Sequence, residues 1–141
     1  DVLFYTKSKN YNFNTQYYKS YQQKKYNYNV KYPEIWDEDK KLWYHNSICR
    51  DVWEDINVLG TDKNIKEKNN YDTQKPKKLL ERVVNASSNK GDLVADFFCG
   101  SGTACVVSKE LGRDYIGCDI NQNAIDITYK RLQNVSNSAI N

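Results

Sequence analysis

The sequence contains no methionine, a single histidine and only two prolines among its 141 residues. Four cysteines are present, but none forms a C-x-x-C pair, so we do not expect a closed metal site. Three of them lie in apolar stretches, which favours reduced thiols and therefore an intracellular, cytoplasmic location. No apolar run approaches the roughly 20 residues that span a bilayer, so no membrane association is expected. The absence of Met, in a sequence that opens directly on an apolar run, predicts a chain truncated at its N-terminus.

Charge and composition divide the sequence into two regions. The net charge of +3 is mildly basic, which permits a nucleic-acid partner without requiring one. Residues 1–70 are rich in Tyr, Asn, Lys and Gln and contain few aliphatic side chains, whereas residues 71–141 show regular apolar spacing. We therefore expect two regions with different roles, divided near residue 70.

The first region predicts little regular structure. Residues 2–7 have the composition of a strand. Residues 8–32 mix aromatic and polar side chains without a sustained period, which predicts a loop with short helices. The pattern further predicts a charged turn at 34–41, short strands at 42–44 and 52–53, and an exposed loop at 57–70.

The second region begins with a predicted helix and a predicted strand. Pro76 suits the first turn of a helix. Four apolar residues after it recur on one helical face, namely Leu79, Leu80, Val83 and Val84. Residues 93–98 form a nearly continuous apolar run, as expected of a parallel strand buried on both faces.

A second strand is predicted at 115–120, with a helix over 103–111 between the two strands. That helix would place Ala104, Val107 and Leu111 inward and end at Gly112. Asn121 can cap a last helix, and the buried face of this helix would hold Ile125, Tyr129 and Leu132. The order helix, strand, helix, strand, helix predicts an α/β, Rossmann-like fold with right-handed crossovers.

The turn between the predicted strand and helix has the character of a cofactor site. Gly100 and Gly102 let the backbone approach a ligand without a Cβ in the way, and they direct free N–H groups toward it. Asp119 follows at the end of the next strand, where an acidic side chain accepts hydrogen bonds from ribose hydroxyls. The combination predicts an adenosine-type ligand rather than a plain tight turn.

Two residues discriminate among adenosine ligands. A dinucleotide fingerprint, G-x-G-x-x-G/A, would place a small residue where this chain has Cys105. Asp96, beside the turn, would repel a pyrophosphate but attract an ammonium or a sulfonium group. S-adenosylmethionine carries both cations and no phosphate, so the charges favour it over NAD or FAD. An unrelated nucleotide-binding domain remains the alternative.

Several motifs resemble those of a known family. The strings are T-Q-K-P at 73–76, D-F-F-C-G-S-G-T at 96–103 and G-C-D-I-N at 117–121. They are similar to the C-terminal part of site-specific DNA amino-methyltransferases, in particular the beta group, in which the catalytic motif precedes the cofactor motifs. The close similarity covers residues 71–132. One departure is Phe97, where the family usually has a proline that stiffens the turn.

The resemblance implies an S-adenosylmethionine-dependent methyltransferase fold and assigns roles to residues. Thr73 and Lys75 would lie beside the methionine carboxylate, Asp119 would hold the ribose, and Ile120 would pack on the adenine. Residues 98–102 would wrap the methionine and ribose. The implied cofactor residues are Thr73, Lys75, Asp96, Phe97, Phe98, Cys99, Gly100, Ser101, Gly102, Thr103, Asp119 and Ile120.

The motif that presents the target base in this family is absent. It reads [D/N/S]-P-P-[Y/F/W], and the prolines of this chain, Pro33 and Pro76, are not adjacent. We therefore predict that the isolated chain does not methylate DNA. One interpretation is a truncated DNA methyltransferase that favours adenine N6 over cytosine N4; the alternative is a cofactor-binding and specificity fragment that a partner chain completes.

In the family that these motifs resemble, the position of residues 1–70 is occupied by the end of the catalytic sheet and then a target-recognition region. Lysines that contact phosphates, with Tyr, Asn and Gln that stack on or bond to bases, are compatible with reading double-stranded DNA. Codon bias toward Lys, Asn and Tyr accounts for the same composition without any such role. Residues 71–141 would form the cofactor-binding subdomain.

Overall fold

The computed structural model describes residues 2–25, 33–57, 59, 67–69 and 71–138, with side chains as far as residue 135. The chain divides into two compact units. The smaller unit is Thr15–Trp53, and the larger unit combines Asp1–Asn14 with Glu54–Asn141. Among the described residues, no helix is long and apolar enough to cross a membrane.

The smaller unit is an antiparallel sheet of three strands in the order β1-β3-β2. The strands are β1 (Tyr17–Gln22), β2 (Ile35–Asp37) and β3 (Leu42–Ile48). Aromatic side chains lie opposite each other across the strands, since Tyr21 pairs with Tyr44 and Trp36 with Trp43. Such cross-strand pairs are the elementary stabilising contacts of a sheet. The strand predicted at 42–44 is confirmed and extends to Ile48.

Four predictions for the first region are wrong in whole or in part. The charged turn predicted at 34–41 contains β2, and the turn itself lies at 38–41. Residues 8–32 were expected to be a loop with short helices, but they contain β1, which forms by pairing with a strand more than 20 residues away. Residues 2–7 are not a strand; Phe4 packs edge-on against Phe13, with ring centroids 5.4 Å apart. Residues 52–53 lie in a bend, where the Trp53 indole N–H donates to the Arg50 carbonyl oxygen at 2.6 Å. The loop predicted at 57–70 falls mostly outside the described residues.

The larger unit follows the predicted order of helices and strands. Its elements are α1 (Lys77–Ser87), β4 (Leu93–Asp96), α2 (Thr103–Glu110), β5 (Asp114–Gly117) and α3 (Gln122–Ser138). Strands β4 and β5 are parallel, with Asp96 opposite Gly117. The α/β class predicted from the sequence is confirmed by this strand–helix–strand arrangement.

Helix α2 forms the core of the larger unit. It contacts both strands and both other helices, and Val107 and Ser108 are fully buried. The helix packs closely on the sheet at Gly117, where an added Cβ would lie 2.5 Å from the Cys105 sulfur. Close packing of this helix therefore requires glycine at the end of β5.

The strand at β4 is buried on one face, not on both as predicted. Val94 and Asp96 are half-buried, whereas Leu93 and Ala95 on the opposite face are exposed. Successive side chains of a strand alternate between faces. Because α2 packs on one face, the other face of β4 is exposed within the described chain.

Polar contacts hold the middle and the C-terminal end of α1. At its centre, Arg82 is buried and binds the Asp55 carboxylate through two hydrogen bonds of 3.0 and 2.7 Å. Lys78 lies 2.9 Å from the same carboxylate. At the C-terminal end, the Asn14 amide donates to the carbonyl oxygens of Asn85 and Ser88. The chain segments before the helix are thereby held against it.

Candidate cofactor-binding site

The glycine turn joins the carboxyl end of β4 to α2. Gly100 and Gly102 have φ values of 53° and 73°, in the left-handed region that favours glycine. A Cβ at Gly100 would lie 3.2 Å from the Tyr71 ring, and one at Gly102 would collide with Thr128. Both glycines are therefore required by backbone conformation and by packing against the protein, in addition to any approach of a ligand.

Asp119 is tied directly to this turn. Its carboxylate accepts the Gly100 N–H at 2.8 Å and the Asn121 N–H at 2.9 Å. Hydrogen bonds from the backbone N–H groups of Asn121 and Gly100 lower the pKa of Asp119. The carboxylate therefore stays ionised and links the turn to the start of α3.

Asp96 is the second carboxylate of the site. It ends β4, and its side chain accepts the Phe98 N–H at 3.1 Å. Backbone pairing continues past the strands, since Cys118 N–H donates to the Asp96 carbonyl oxygen and Cys99 N–H to that of Cys118, each at 3.0 Å. This pairing brings the ends of β4 and β5, with Asp96 and Asp119, to the same edge of the sheet.

Large, exposed apolar side chains follow each of the two carboxylates directly in the chain. Phe97 is 62% exposed, Phe98 90%, and Ile120 is fully exposed. The edge therefore combines negative charge with an apolar surface.

The remaining predicted site residues take different positions. Cys99, Ser101 and Thr103 are buried, so their side chains face the protein interior. Burial raises the pKa of the Cys99 thiol above its ordinary value, so this thiol stays protonated at neutral pH. Thr73 and Lys75 are exposed, and the contact from their segment to the turn runs through Tyr71.

The sequence analysis missed two residues of α3 behind the turn. The Thr128 hydroxyl donates to the Gly100 carbonyl oxygen at 3.0 Å, and Arg131 donates to Ser101 and Thr103. The face predicted to be buried held Ile125, Tyr129 and Leu132, but Tyr129 is 64% exposed while Ala124 and Thr128 are buried. The packed face of α3 therefore carries small or polar side chains, because the turn presents carbonyl and hydroxyl oxygens to it.

A separate cavity of about 470 Å³ lies among the three helices. Its charged lining comprises Glu67, Lys77, Lys109, Glu110 and Arg131, and none of the twelve predicted cofactor residues lines it. No cluster of three or more metal-ligating side chains occurs in the part of the chain that the structure describes.

The parallel strands, the glycine turn and the acid at the end of the second strand define an α/β domain of the type that binds adenosine cofactors. The chain belongs to the DNA methylase family N6_N4_Mtase, whose model matches residues 1–130. The predicted resemblance to DNA amino-methyltransferases is thereby confirmed.

Curated relatives agree with the family. The chain is 38% identical to the Type II methyltransferase M1.MboII of Moraxella bovis over 125 residues, which cover 85% of this chain and 48% of the relative. It is 46% identical to M.HpaI of Haemophilus parainfluenzae over 86 residues, or 61% of this chain and 26% of that one. The DNA adenine methyltransferase YhdJ of Escherichia coli K12 is 40% identical over 88 residues, or 62% and 29%. The chain thus spans less than half the length of these relatives.

Among solved structures, the M1.HpyAVI–SAM complex is similar to this chain. The sequence identity is 26% and the TM-score is 0.47, over 64% of this chain and 50% of the other.

Proposed function

We propose that the chain binds S-adenosylmethionine at the glycine turn and forms the cofactor side of a DNA amino-methyltransferase. The observation that carries the proposal is the pair of carboxylates, Asp96 and Asp119, at the carboxyl ends of neighbouring parallel strands beside that turn. Membership of the DNA methylase family supports it.

The residues present suit this cofactor. A carboxylate pair attracts the sulfonium and ammonium groups and disfavours a pyrophosphate. A carboxylate offers about four acceptor positions, and Asp119 uses two of them for backbone N–H groups, so it retains acceptors for a ribose hydroxyl. The exposed Phe98 and Ile120 side chains offer apolar surface for the adenosine. When bound, the cofactor supplies the methyl group.

Individual roles follow from the family resemblance. Asp119 holds the ribose, Ile120 packs on the adenine, and residues 98–102 surround the methionine and ribose. The Lys75 ammonium, together with Thr73, binds the methionine carboxylate through a charge-assisted contact. Lys75 and Thr73 are exposed, so both are accessible to a ligand.

The methyl acceptor in this proposal is an exocyclic amine of a base in double-stranded DNA, with adenine N6 favoured, within a restriction–modification or epigenetic system. The Type II methyltransferases and the adenine methyltransferase among the relatives support this choice. Residues 1–70 would include the surface that reads the DNA sequence, and residues 71–141 the cofactor subdomain.

Presentation of the base requires groups that these 141 residues lack. The target base must leave the stack, and acceptors must orient its amine toward the methyl group. Pro33 and Pro76 are the only prolines, so no Pro-Pro-aromatic motif is present. We propose that another segment or a partner chain supplies this motif, and that these residues alone hold the donor without transferring the methyl group.

Isothermal titration calorimetry tests the cofactor assignment. The chain should bind S-adenosylmethionine and show no binding of NAD at the same concentrations. Asp119→Asn should weaken binding of S-adenosylmethionine about tenfold or more, because loss of one charged hydrogen-bond partner typically has an effect of that order. Asp114→Asn is the matched control, since Asp114 is exposed at the opposite end of β5.

Two results would contradict the proposal. Tighter binding of NAD than of S-adenosylmethionine would indicate an unrelated nucleotide-binding domain. Transfer of a labelled methyl group to duplex DNA by the purified chain alone would show that the missing motif is not needed. Activity that appears only when a Pro-Pro-aromatic partner segment is added would support the proposed division of roles.

A further inference from the structure

Two side chains of α3 lie directly behind the glycine turn. The Thr128 hydroxyl donates to the Gly100 carbonyl oxygen at 3.0 Å. Nη1 of Arg131 donates to three oxygens, the Ser101 carbonyl at 2.5 Å, the Ser101 hydroxyl at 3.2 Å and the Thr103 hydroxyl at 3.0 Å. Residues three apart on a helix share a face, so Thr128 and Arg131 contact the turn together.

We propose that Thr128 and Arg131 are positioning residues that hold the turn at 100–103 in its ligand-binding conformation. The identity of the ligand, S-adenosylmethionine, rests on the proposed function. Neither residue belongs to the motifs that assign cofactor contacts, and both act from the side of the turn that faces α3.

The turn needs such support because its glycines do not specify one conformation. Gly100 and Gly102 both have positive φ, and glycine populates many other backbone conformations at little cost. Asp119 fixes the Gly100 N–H, and Thr128 fixes the Gly100 carbonyl, so the peptide groups on both sides of this residue are held. Arg131 extends the same support to Ser101 and Thr103.

The direction of the hydroxyl groups supports a positioning role. Ser101 is 3% exposed and Thr103 is 5% exposed, and both hydroxyls contact the guanidinium group. These two side chains therefore connect the turn to α3. The side of the turn that faces away from α3 is then formed by backbone atoms. Arg131 is half-buried, and burial lowers the pKa of its guanidinium. A desolvated charge requires hydrogen-bond acceptors, and the turn provides three of them.

A turn that is already ordered binds a ligand more tightly, because less conformational freedom is lost on binding. Removing Arg131 should therefore loosen residues 100–103 and weaken the binding of S-adenosylmethionine. The affinity should fall about tenfold, because the ligand must then order the turn as it binds.

The experiment compares two arginines that make similar hydrogen bonds. Arg113 donates to the carbonyl oxygens of Ser88 and Leu111 and to the Ser88 hydroxyl, at the opposite end of β5. Arg131→Met is compared with Arg113→Met, and Arg131→Lys keeps the charge and a donor in case the Met variant fails to fold. Thr128→Val has Ser108→Ala as its control, because the buried Ser108 hydroxyl bonds only within α2 to the Ala104 carbonyl.

Two measurements separate this inference from the cofactor assignment. Amide hydrogen exchange of residues 100–104 without ligand reports the order of the turn directly. Calorimetry with S-adenosylmethionine reports the effect on binding. We expect faster exchange at these amides in Arg131→Met and Thr128→Val than in their controls, an intermediate effect in Arg131→Lys, and a matching order of affinities.

The outcomes are distinguishable. Unchanged exchange at residues 100–104 in Arg131→Met, relative to Arg113→Met, would overturn the inference whether or not the chain binds the cofactor. Faster exchange with equal affinities in the two variants would also overturn it, since the contact would then be only structural. A wild-type chain that fails to bind S-adenosylmethionine would refute the proposed function and with it the positioning role for this ligand, while faster exchange in the Arg131 variants would show only that Arg131 orders the turn.

Discussion

The two units of the chain are stabilised by different kinds of contact. In the larger unit, every residue from Thr103 to Ser108 is buried. In the smaller unit, none of the described residues at 15–25 and 33–53 is buried to that degree. Its contacts are between side chains across the sheet, such as Trp36 with Trp43, whose ring centroids are 5.3 Å apart, and Lys19 Nζ, 4.2 Å from the Tyr44 ring centre.

This difference affects how each unit responds to substitution. In the larger unit, helices pack so closely on the backbone of the turn that a substitution adding a single carbon atom finds no free space. Where exposed side chains pair across a sheet, the neighbours of a substituted residue remain solvated. We therefore expect the largest effects at the turn, smaller effects at the ion pair of α1, and the smallest effects in the sheet of the smaller unit.

The largest effect is expected for Gly102→Ala. Alanine at this positive φ costs about 1–2 kcal/mol, and the new Cβ would overlap Thr128, which adds about 1–3 kcal/mol of overpacking. The free energy of unfolding should therefore fall by about 3 kcal/mol. Urea denaturation followed by circular dichroism at the helical band measures this change, since all described helices lie in the larger unit.

Gly91→Ala is the matched control for this prediction. Gly91 has a φ of 86°, but a Cβ there would meet no atom within 4 Å. The loss of unfolding free energy in Gly91→Ala should reflect backbone strain alone and be clearly smaller than the loss in Gly102→Ala. Equal losses in the two variants would mean that packing of α3 against the turn contributes nothing.

A middle-sized effect is expected for Asp55→Asn. The variant removes the carboxylate that binds the buried Arg82 guanidinium through two hydrogen bonds, and loss of hydrogen bonds to a charged group costs about 2 kcal/mol. Asp114→Asn, an exposed change in the same unit, should have almost no effect. The measurement is the same urea denaturation at neutral pH. A loss no larger than that of the control would show that the ion pair contributes nothing.

Acid should remove the difference between the Asp55 variant and the wild type. Hydrogen bonds from Arg82 and then Lys78 hold the pKa of Asp55 well below its ordinary value of 3.8. A folded-state pKa below the unfolded one stabilises the fold above pH 3.8, and the gain is lost as the pH falls through the folded-state pKa. The two unfolding free energies should therefore begin to converge below about pH 4 and become equal only below the folded-state pKa. A constant difference down to pH 2 would contradict this cause.

Periodicity and glycine positions sufficed to predict the βαβ unit of the larger region. The apolar run before Gly100, the helix up to Gly112 and the following strand all form where the pattern placed them, within a few residues. Asp119 was expected at the end of the second strand as a ribose ligand, and that role stays a prediction; its carboxylate accepts the Gly100 N–H of the turn. The strands and the helix are local features, because each depends on the pattern within one short segment.

Features that depend on distant partners could not be predicted in the same way. Strand β1 has no clear alternation and exists because β3 pairs with it, so its tendency to form a strand depends on context. The packed face of α3 was predicted from apolar spacing, which selects Tyr129. The face that actually contacts the turn is the one whose side chains can donate hydrogen bonds to its oxygens, and these side chains are Thr128 and Arg131. The polar residues on that helical face were the available signal.

The smallest effect is expected for Tyr21→Phe in the smaller unit. The Tyr21 hydroxyl donates to the Asp37 carboxylate at 2.8 Å, and this bond is the main reason that the pKa of Asp37 lies below its ordinary value. The variant keeps the ring that packs on Tyr44, so only the hydrogen bond is lost. The pKa of Asp37 should rise toward 3.8 but remain below it, because the Lys40 N–H still donates to the same carboxylate.

Because the folded-state pKa of Asp37 lies below the unfolded one, the loss of stability in Tyr21→Phe should be present at neutral pH and vanish as the pH falls through the folded-state pKa. Carboxyl NMR titration measures the pKa, and tryptophan fluorescence in urea measures stability, since all three tryptophans lie in this unit. Tyr17→Phe, an exposed change on the same strand, is the control and should alter neither quantity. A loss in Tyr21→Phe as large as that of Gly102→Ala would contradict the comparison, since one side-chain bond in this sheet would then matter as much as the packed turn.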